Sequence, residues 1–310
     1  MQSPVTVREV GLRDGLQIEP GFVPTRIKLA VFDALVAAGM RHFQVTSFVS
    51  PRAVPQLADA EALLASIERV PGLHLSALAP NARGAERAAA TQVDAVGAVL
   101  SCSETHNAKN LNRSVERSLA DAAEVAAIAK AAGKSFEVGL ATAFGCPFEG
   151  EVPPERIERL AAEAAALGAT VIDLGDTTGM AVPPTVRAGV EAARRGAPGV
   201  EIGLHFHNTR GVGLACAMVG LEMGVTHYDG SVGGLGGCPF APGATGNVAT
   251  EDLVYLLEES GHATGIDLEA MIGAARLMQD ALGRDLPGQV MKSGPRLRRH
   301  EADAVATAAG

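Results

Sequence analysis

Two imidazoles stand two residues apart at His205 and His207, within Ile202-Gly203-Leu204-His205-Phe206-His207-Asn208. In an extended segment alternate side chains share a face, so both rings point one way while Phe206 points into packing. Same-face histidines at a strand end make half of a divalent-metal site, or a plain polar pair at the mouth of a sheet. Asp14 offers a carboxylate to go with them, and Asn247, just ahead of a helix-like segment, offers a further oxygen. Such a mixed nitrogen and oxygen set without thiolate suits Mg²⁺, Mn²⁺ or Zn²⁺, with positions left for substrate oxygens. Taken singly, Asp14 reads equally well as an ion-pair partner of Arg13 or a turn residue. Asn247 alone reads as a cap or a turn.

Other groups extend the chemistry. Arg13, beside Asp14, would be a fixed cation near developing negative charge, useful against an enolate or carboxylate; the plain reading is a solvated arginine. Gly233-Gly234-Leu235-Gly236-Gly237-Cys238-Pro239-Phe240 is a glycine-rich loop with one thiol, able to move as a lid and to present Cys238 as a proton donor. It lacks the Lys-Ser/Thr of a phosphate-binding loop, and a buried inert cysteine is its plain reading. Gly145-Cys146-Pro147-Phe148 is similar, and local sequence does not rank the two. Asp176, in Leu174-Gly175-Asp176-Thr177-Thr178-Gly179, either moves a proton or closes a turn on its own backbone.

These groups need a frame that brings them together. Strand-like runs are expected at Val5–Val10, His42–Thr46, Leu73–Ala79, Ala95–Leu100, Ser135–Leu140, Thr170–Leu174, Glu201–Phe206 and Thr226–Asp229. Helix-like runs fall between them at Arg26–Ala38, Asp59–Ile67, Ala82–Ala90, Val115–Ala132, Pro154–Leu167, Pro183–Arg194 and Val212–Met223. Thr250–Ser260 and Leu268–Leu282 follow. Eight alternating units predict an α/β fold, a closed (β/α)₈ TIM barrel with additional C-terminal helices. No Gly-x-Gly-x-x-Gly follows the first strand, which counts against a dinucleotide-binding sheet. In such a barrel chemistry sits where strands end, and the polar residues named above fall there. One domain is expected over 1–294, with 295–310, including the Arg296, Arg298 and Arg299 cluster, as a solvated flexible tail.

The 310 residues carry a net charge of −9, which argues against a nucleic-acid partner, since that would want a basic face. Four cysteines, at 102, 146, 216 and 238, are too few and too scattered for a disulfide scaffold. No apolar run has the length of a membrane span and the first residues lack a signal pattern, so no membrane partner and a cytoplasmic location are expected.

Longer motifs carry a resemblance. Glu9-Val10-Gly11-Leu12-Arg13-Asp14-Gly15-Leu16-Gln17 is similar to the opening of the metal-dependent lyase and synthase barrels. Thr46-Ser47-Phe48-Val49-Ser50-Pro51, the Gly-Cys-Pro-Phe-Glu-Gly segment at 145–150, Gly-Gly-Cys-Pro-Phe-Ala at 236–241 and the stretch from Gly246 to Tyr255 resemble 3-hydroxy-3-methylglutaryl-CoA lyase. The likeness covers roughly residues 5–285. It implies a retro-aldol cleavage of a 3-hydroxyacyl-CoA to acetyl-CoA and a keto acid. By that likeness Asp14, His205, His207 and Asn247 hold the metal, Arg13 steadies the thioester enolate, Cys238 protonates it, and Asp176 belongs with His205 to the proton-transfer set. Gln17 joins the substrate-binding residues.

Two positions depart from the pattern. Gln44 stands where the lyase has an acidic residue, and an amide is no base. Gly139 stands where it has a tyrosine, which removes a hydroxyl and leaves room. Both point to a different acyl group. His106 is a candidate substrate contact, and Lys109 with Arg113 would meet the phosphates of CoA. A Claisen-type synthase on the same metal site, a CoA-independent 4-hydroxy-2-keto acid aldolase and a catalytically silent barrel are the competing readings. A homodimer is expected, as the commonest symmetric assembly.

Overall fold

The computed structural model describes residues 4–237 and 246–299. Its sheet closes on itself in sequence order, β1 (Thr6–Glu9), β2 (His42–Ser47), β3 (His74–Leu78), β4 (Ala95–Ser101), β5 (Ser135–Ala141), β6 (Val171–Asp176), β7 (Glu201–Phe206) and β8 (His227–Gly230), every pair parallel. Closure is made by β1 against β8, with Thr6 opposite His227 and Glu9 opposite Gly230. The register of β2 on β3 shifts between Gln44 and Thr46, a bulge at the strand that carries Gln44.

The helices in chain order are α1 (Thr25–Ala37), α2 (Ala60–Ser66), α3 (Ala82–Ala89), α4 (Glu104–Leu111), α5 (Val115–Ala131), α6 (Pro154–Ala166), α7 (Pro183–Gly196) and α8 (Gly213–Glu222), then α9 (Thr250–Glu259), α10 (Leu268–Leu282) and α11 (Val290–Ser293). The eight strands and the foreseen helices are present, with ends moved by a residue or two. None of the described helices is long and apolar enough to cross a membrane.

Alternation along the strands sorts the residues. Phe43, Leu75, Val96, Val138, Ile172, Leu204 and Tyr228 are buried in the layer shared with the helices, as parallel strands covered by crossovers require. The barrel axis carries the other parity, and it is polar: Arg8, Gln44, Glu137, Asp173 and Asp229 are each less than a tenth exposed. Barrels of this type usually fill that space with branched apolar residues.

Of the elements not foreseen, two bear on the site. A π-helical turn, Gly11–Gly15, follows β1 and carries Arg13 and Asp14. A Cβ on Gly11 would stand 2.6 Å from Glu9 Oε1, and one on Gly15 2.8 Å from the Leu235 side chain, so both positions require glycine for close approach. Helix α4 stands between β4 and α5, where no helical run is expected; its start is capped by Ser103, whose side chain accepts from the His106 amide. At the beginning of the segment expected as a tail, Arg296 pairs with Glu259 of α9 at 2.6 Å and Arg298 pairs with Glu269 of α10.

Candidate active site

Backbone pairing assembles the rim. His207 and Asn247 form an antiparallel bridge, and the Asn208 amide donates to the Gly246 carbonyl at 3.0 Å, which lays the segment before α9 across the end of β7. Buried Glu9 ties the π-helical turn to it. One of its oxygens accepts from the amides of Gly11 at 2.6 Å and Val232 at 2.9 Å, and the other from the Thr250 hydroxyl at 2.6 Å. Asp14, His205 and His207 therefore converge although they come from opposite ends of the chain.

His205 Nε2 and His207 Nε2 lie 3.2 Å apart, and each faces Asp14 Oδ2, at 3.9 and 3.8 Å. The centre of a triangle with those sides is about 2.1 Å from every corner, the length of a metal–nitrogen or metal–oxygen bond. Asn247 donates from Nδ2 to Asp14 Oδ2 at 2.8 Å, while its Oδ1 is buried with no hydrogen-bond partner among the described residues. Two imidazole nitrogens directed at one carboxylate oxygen, with a spare amide oxygen beside them, fit a divalent cation.

The electrostatics agree. Burial alone would raise the Asp14 carboxyl, but Arg13 and the two imidazoles bring it down to about 2. Burial, then the neighbouring His205, lowers His207 to about 4, so it stands neutral with a lone pair to give. His205 resists the same burial because Asp229 accepts from its Nδ1 at 3.0 Å, and its pKa is raised.

A cavity of about 420 Å³ opens over this site. Arg13, Asp14, Gln17, Gln44, His106, Gly139, His205 and His207 all line it. The Arg13 guanidinium bonds Asp14 Oδ1, and Gln17 Nε2 donates to the same oxygen at 3.1 Å. Gln44 is buried, with its Oε1 unpartnered among the described residues. His106 is fully buried, its Nδ1 2.6 Å from Ser101 Oγ. Gly139 adds less room than expected, since Val99 Cγ2 lies 3.2 Å from where a Cβ would stand.

Three candidates lie outside the cavity lining, and one lies outside the described residues. Arg113 is turned away from the cavity: it pairs with Asp121 and donates to the carbonyls of Leu111 and Pro80, at 3.1 and 3.3 Å. Lys109 is exposed, with its Nζ 5.1 Å from the centre of the Phe148 ring, and does not line the cavity. Asp176 does not line it either. One Asp176 oxygen accepts from the amides of Met180 at 2.7 Å and Ala181 at 2.9 Å, the turn-closing alternative. Burial still raises its carboxyl to about 7. Cys238 lies outside the described residues.

Sequence reading passed over Arg8 and Glu137 as site residues. Together with Asp173 and Asp229 they line the cavity floor. Their signal was present, as ionic side chains inside strands buried on both faces, which survive only when paired. Arg8 answers all three carboxylates, at 2.7–2.9 Å. Asp173 and Asp229 with His227 could group around a second cation, but the Arg8 guanidinium already supplies the positive charge there.

Comparison with known proteins settles the lineage. Residues 5–278 match the HMGL-like family model. This chain belongs to the HMGL-like family. Within reach of the family's curated members, it is 42% identical over 292 residues to hydroxymethylglutaryl-CoA lyase YngG of Bacillus subtilis, covering 93% of this chain and 98% of that protein. It is also 42% identical over 301 residues to (R)-citramalyl-CoA lyase of Chloroflexus aurantiacus, covering 94% of this chain and 95% of that protein. Among solved members, an HMG-CoA lyase from Acinetobacter baumannii in complex with coenzyme A and 3-methylmalate superposes with a TM-score of 0.91. It is 41% identical and the match covers 96% of this chain and 97% of that one.

Proposed function

We propose that this chain is a divalent-metal-dependent carbon–carbon lyase that cleaves a 3-hydroxyacyl-CoA to acetyl-CoA and a keto acid. The observation that carries it is the meeting of three ligand atoms from Asp14, His205 and His207 around one bond-length centre, with Arg13 beside them in a single cavity. Family membership directs that site to acyl-CoA chemistry, since relatives over the whole chain are named as hydroxymethylglutaryl-CoA and citramalyl-CoA lyases.

Asp14, His205 and His207, with Asn247 Oδ1, would hold the cation. It would polarise the 3-hydroxyl and lower its pKa, so that a modest base suffices. An oxygen and nitrogen donor set favours Mg²⁺ or Mn²⁺, with Zn²⁺ an alternative. The hydroxyl proton leaves, a carbonyl forms at C3 as the C2–C3 bond breaks, and C2 takes up a proton. Arg13, oriented by Asp14, stands ready for the enolate charge that builds on the thioester oxygen. Cys238 on the glycine-rich segment is the proposed proton donor to C2. Asp176 shapes the turn that presents Thr177 to the cavity. Gln44, without basicity, contacts the acyl group, and His106 is a second contact.

Coenzyme A would enter between the second, third and fourth strand-to-helix connections, where Val49, Ala53, Val54, Pro80, Asn110 and Leu111 line the mouth of the cavity. Lys109, next to Asn110 and exposed, remains the proposed phosphate contact there. The deciding experiment measures acetyl-CoA release, with Mg²⁺ or Mn²⁺, from 3-hydroxy-3-methylglutaryl-CoA, citramalyl-CoA and related thioesters. Release is expected from at least one, abolished by chelator and reduced by about 10³-fold or more in Asp14→Ala. Silence across the panel from protein shown to bind metal would overturn the reading in favour of condensation of acetyl-CoA with a 2-keto acid, or of a CoA-independent aldolase.

A further inference from the structure

The floor of the barrel reaches the metal ligands through one carboxylate. Asp229 Oδ2 lies 3.0 Å from His205 Nδ1 and 2.9 Å from Arg8 Nη2, and its Oδ1 accepts from Arg8 Nε at 2.8 Å. Arg8 thus grips Asp229 with two parallel bonds, a geometry a planar guanidinium makes and an ammonium does not. Its other bonds go to Glu137 at 2.9 Å and Asp173 at 2.7 Å, so the guanidinium is fixed from three sides. Arg8 is 2% exposed, with no freedom to swing.

A carboxylate only accepts hydrogen bonds, so the His205 nitrogen facing Asp229 carries the proton. In the neutral ring this leaves the Nε2 lone pair directed at His207 Nε2 and Asp14 Oδ2, where the cation would bind. An Asp229 free to rotate could not hold this tautomer or this ring angle. We propose that Arg8 is a positioning residue of the metal centre: by clamping Asp229 it keeps His205 in the Nδ1–H tautomer with Nε2 aimed as a ligand. The inference rests on the proposed divalent-metal site and is independent of which thioester is cleaved. A purely structural network would need Arg8 to balance buried charge but would place no demand on the His205 tautomer.

The test uses the full chain and two readouts: Mn²⁺ affinity by calorimetry, and the His205 tautomer in metal-free protein by ¹⁵N NMR. Removing Arg8 alone would strand three buried carboxylates, so it is removed in Arg8→Met/Glu137→Gln/Asp173→Asn, with Glu137→Gln/Asp173→Asn as the control that retains Arg8. Asp229→Asn breaks the clamp at its other end with little change of shape.

The triple variant and Asp229→Asn are expected to lose about 10–100-fold in Mn²⁺ affinity, the usual cost of removing an outer-sphere partner. Both should also shift His205 toward the Nε2–H tautomer. The control should stay within about threefold of wild type, and Arg8→Lys, which cannot make the paired contact, should fall between. Unchanged affinity and tautomer in the triple variant would overturn the proposal, whatever happens to its melting temperature. Should that variant fail to fold, Asp229→Asn decides by the same two readouts. A wild-type chain that binds no Mn²⁺ would sink the metal reading; the tautomer shift would still support the clamp, and its absence would still overturn it.

Discussion

Asp14 shows how much one side chain is asked to do. It accepts from Arg13, Gln17 and Asn247 and faces two imidazoles, so every lone pair has a claimant. Its neighbour in sequence, Arg13, keeps a buried Nε without a hydrogen-bond partner among the described residues. Arg113 illustrates the opposite fate. Sequence position after β4 made it a candidate for CoA phosphate, but the Asp121 carboxylate, itself nearly buried, has taken it. Arg113→Met is therefore expected to leave KM for the acyl-CoA within about twofold while lowering the melting temperature, because among the described residues Asp121 then keeps only the exposed Arg117 as an ion-pair partner. Steady-state kinetics beside a thermal melt checks this; a KM raised tenfold would return Arg113 to the substrate.

Among the elements, the π-helical turn and α4 matter most for the site, and neither has a periodic signal. Five residues, Gly-Leu-Arg-Asp-Gly, are too few to show a period, and the turn exists because Glu9 and glycine contacts hold it. Helix α4 opens on Ser-Glu-Thr-His-Asn, polar throughout. His106 and Asn107 are nonetheless buried in it, and Asn107 bonds the Ser101 amide at 3.0 Å and Ser118 Oγ at 2.8 Å. Packing between crossover helices is just as specific. A Cβ on Gly196, at the end of α7, would stand 2.1 Å from the Glu158 carbonyl oxygen of α6. That atom is backbone and cannot turn aside. Gly196→Ala should cost about 1–3 kcal/mol and lower the melting temperature by roughly 5 °C without changing the metal affinity of the folded protein. An unchanged melt would show that α6 and α7 slide apart freely.

For the whole molecule, buried carboxyls set the response of stability to pH. Burial raises Glu251 to about 8 and Glu9 to about 7, both from an unfolded value near 4.5. Each folded carboxyl therefore keeps its proton where the unfolded one has lost it. The stabilisation is complete below about pH 4.5 and is lost as pH rises through the folded values. The melting temperature should accordingly fall between about pH 4.5 and pH 8 and level off above that. Glu251→Gln, which keeps an acceptor for the Gly233 amide now bonded at 3.0 Å, should flatten that fall. A melt that stays constant over this range, or an equally steep fall in the variant, would remove Glu251 from the explanation.

The sequence by itself determined the order of strands and helices, the barrel, the His-x-His pair and the Arg-Asp pair, because each is local: alternation, helical period and neighbouring residue types need no partner far away. Tertiary structure decided which of these meet. Asn247 reaches Asp14 across 233 positions, and Arg8 reaches Glu137 across 129 and Asp229 across 221. No spacing along the chain encodes such contacts, since barrel closure brings β1 beside β8 and sets their inward faces on one axis. For the same reason the turn role of Asp176, the capture of Arg113 by Asp121 and the clamp on His205 became visible only when the folded neighbours of each group were in place.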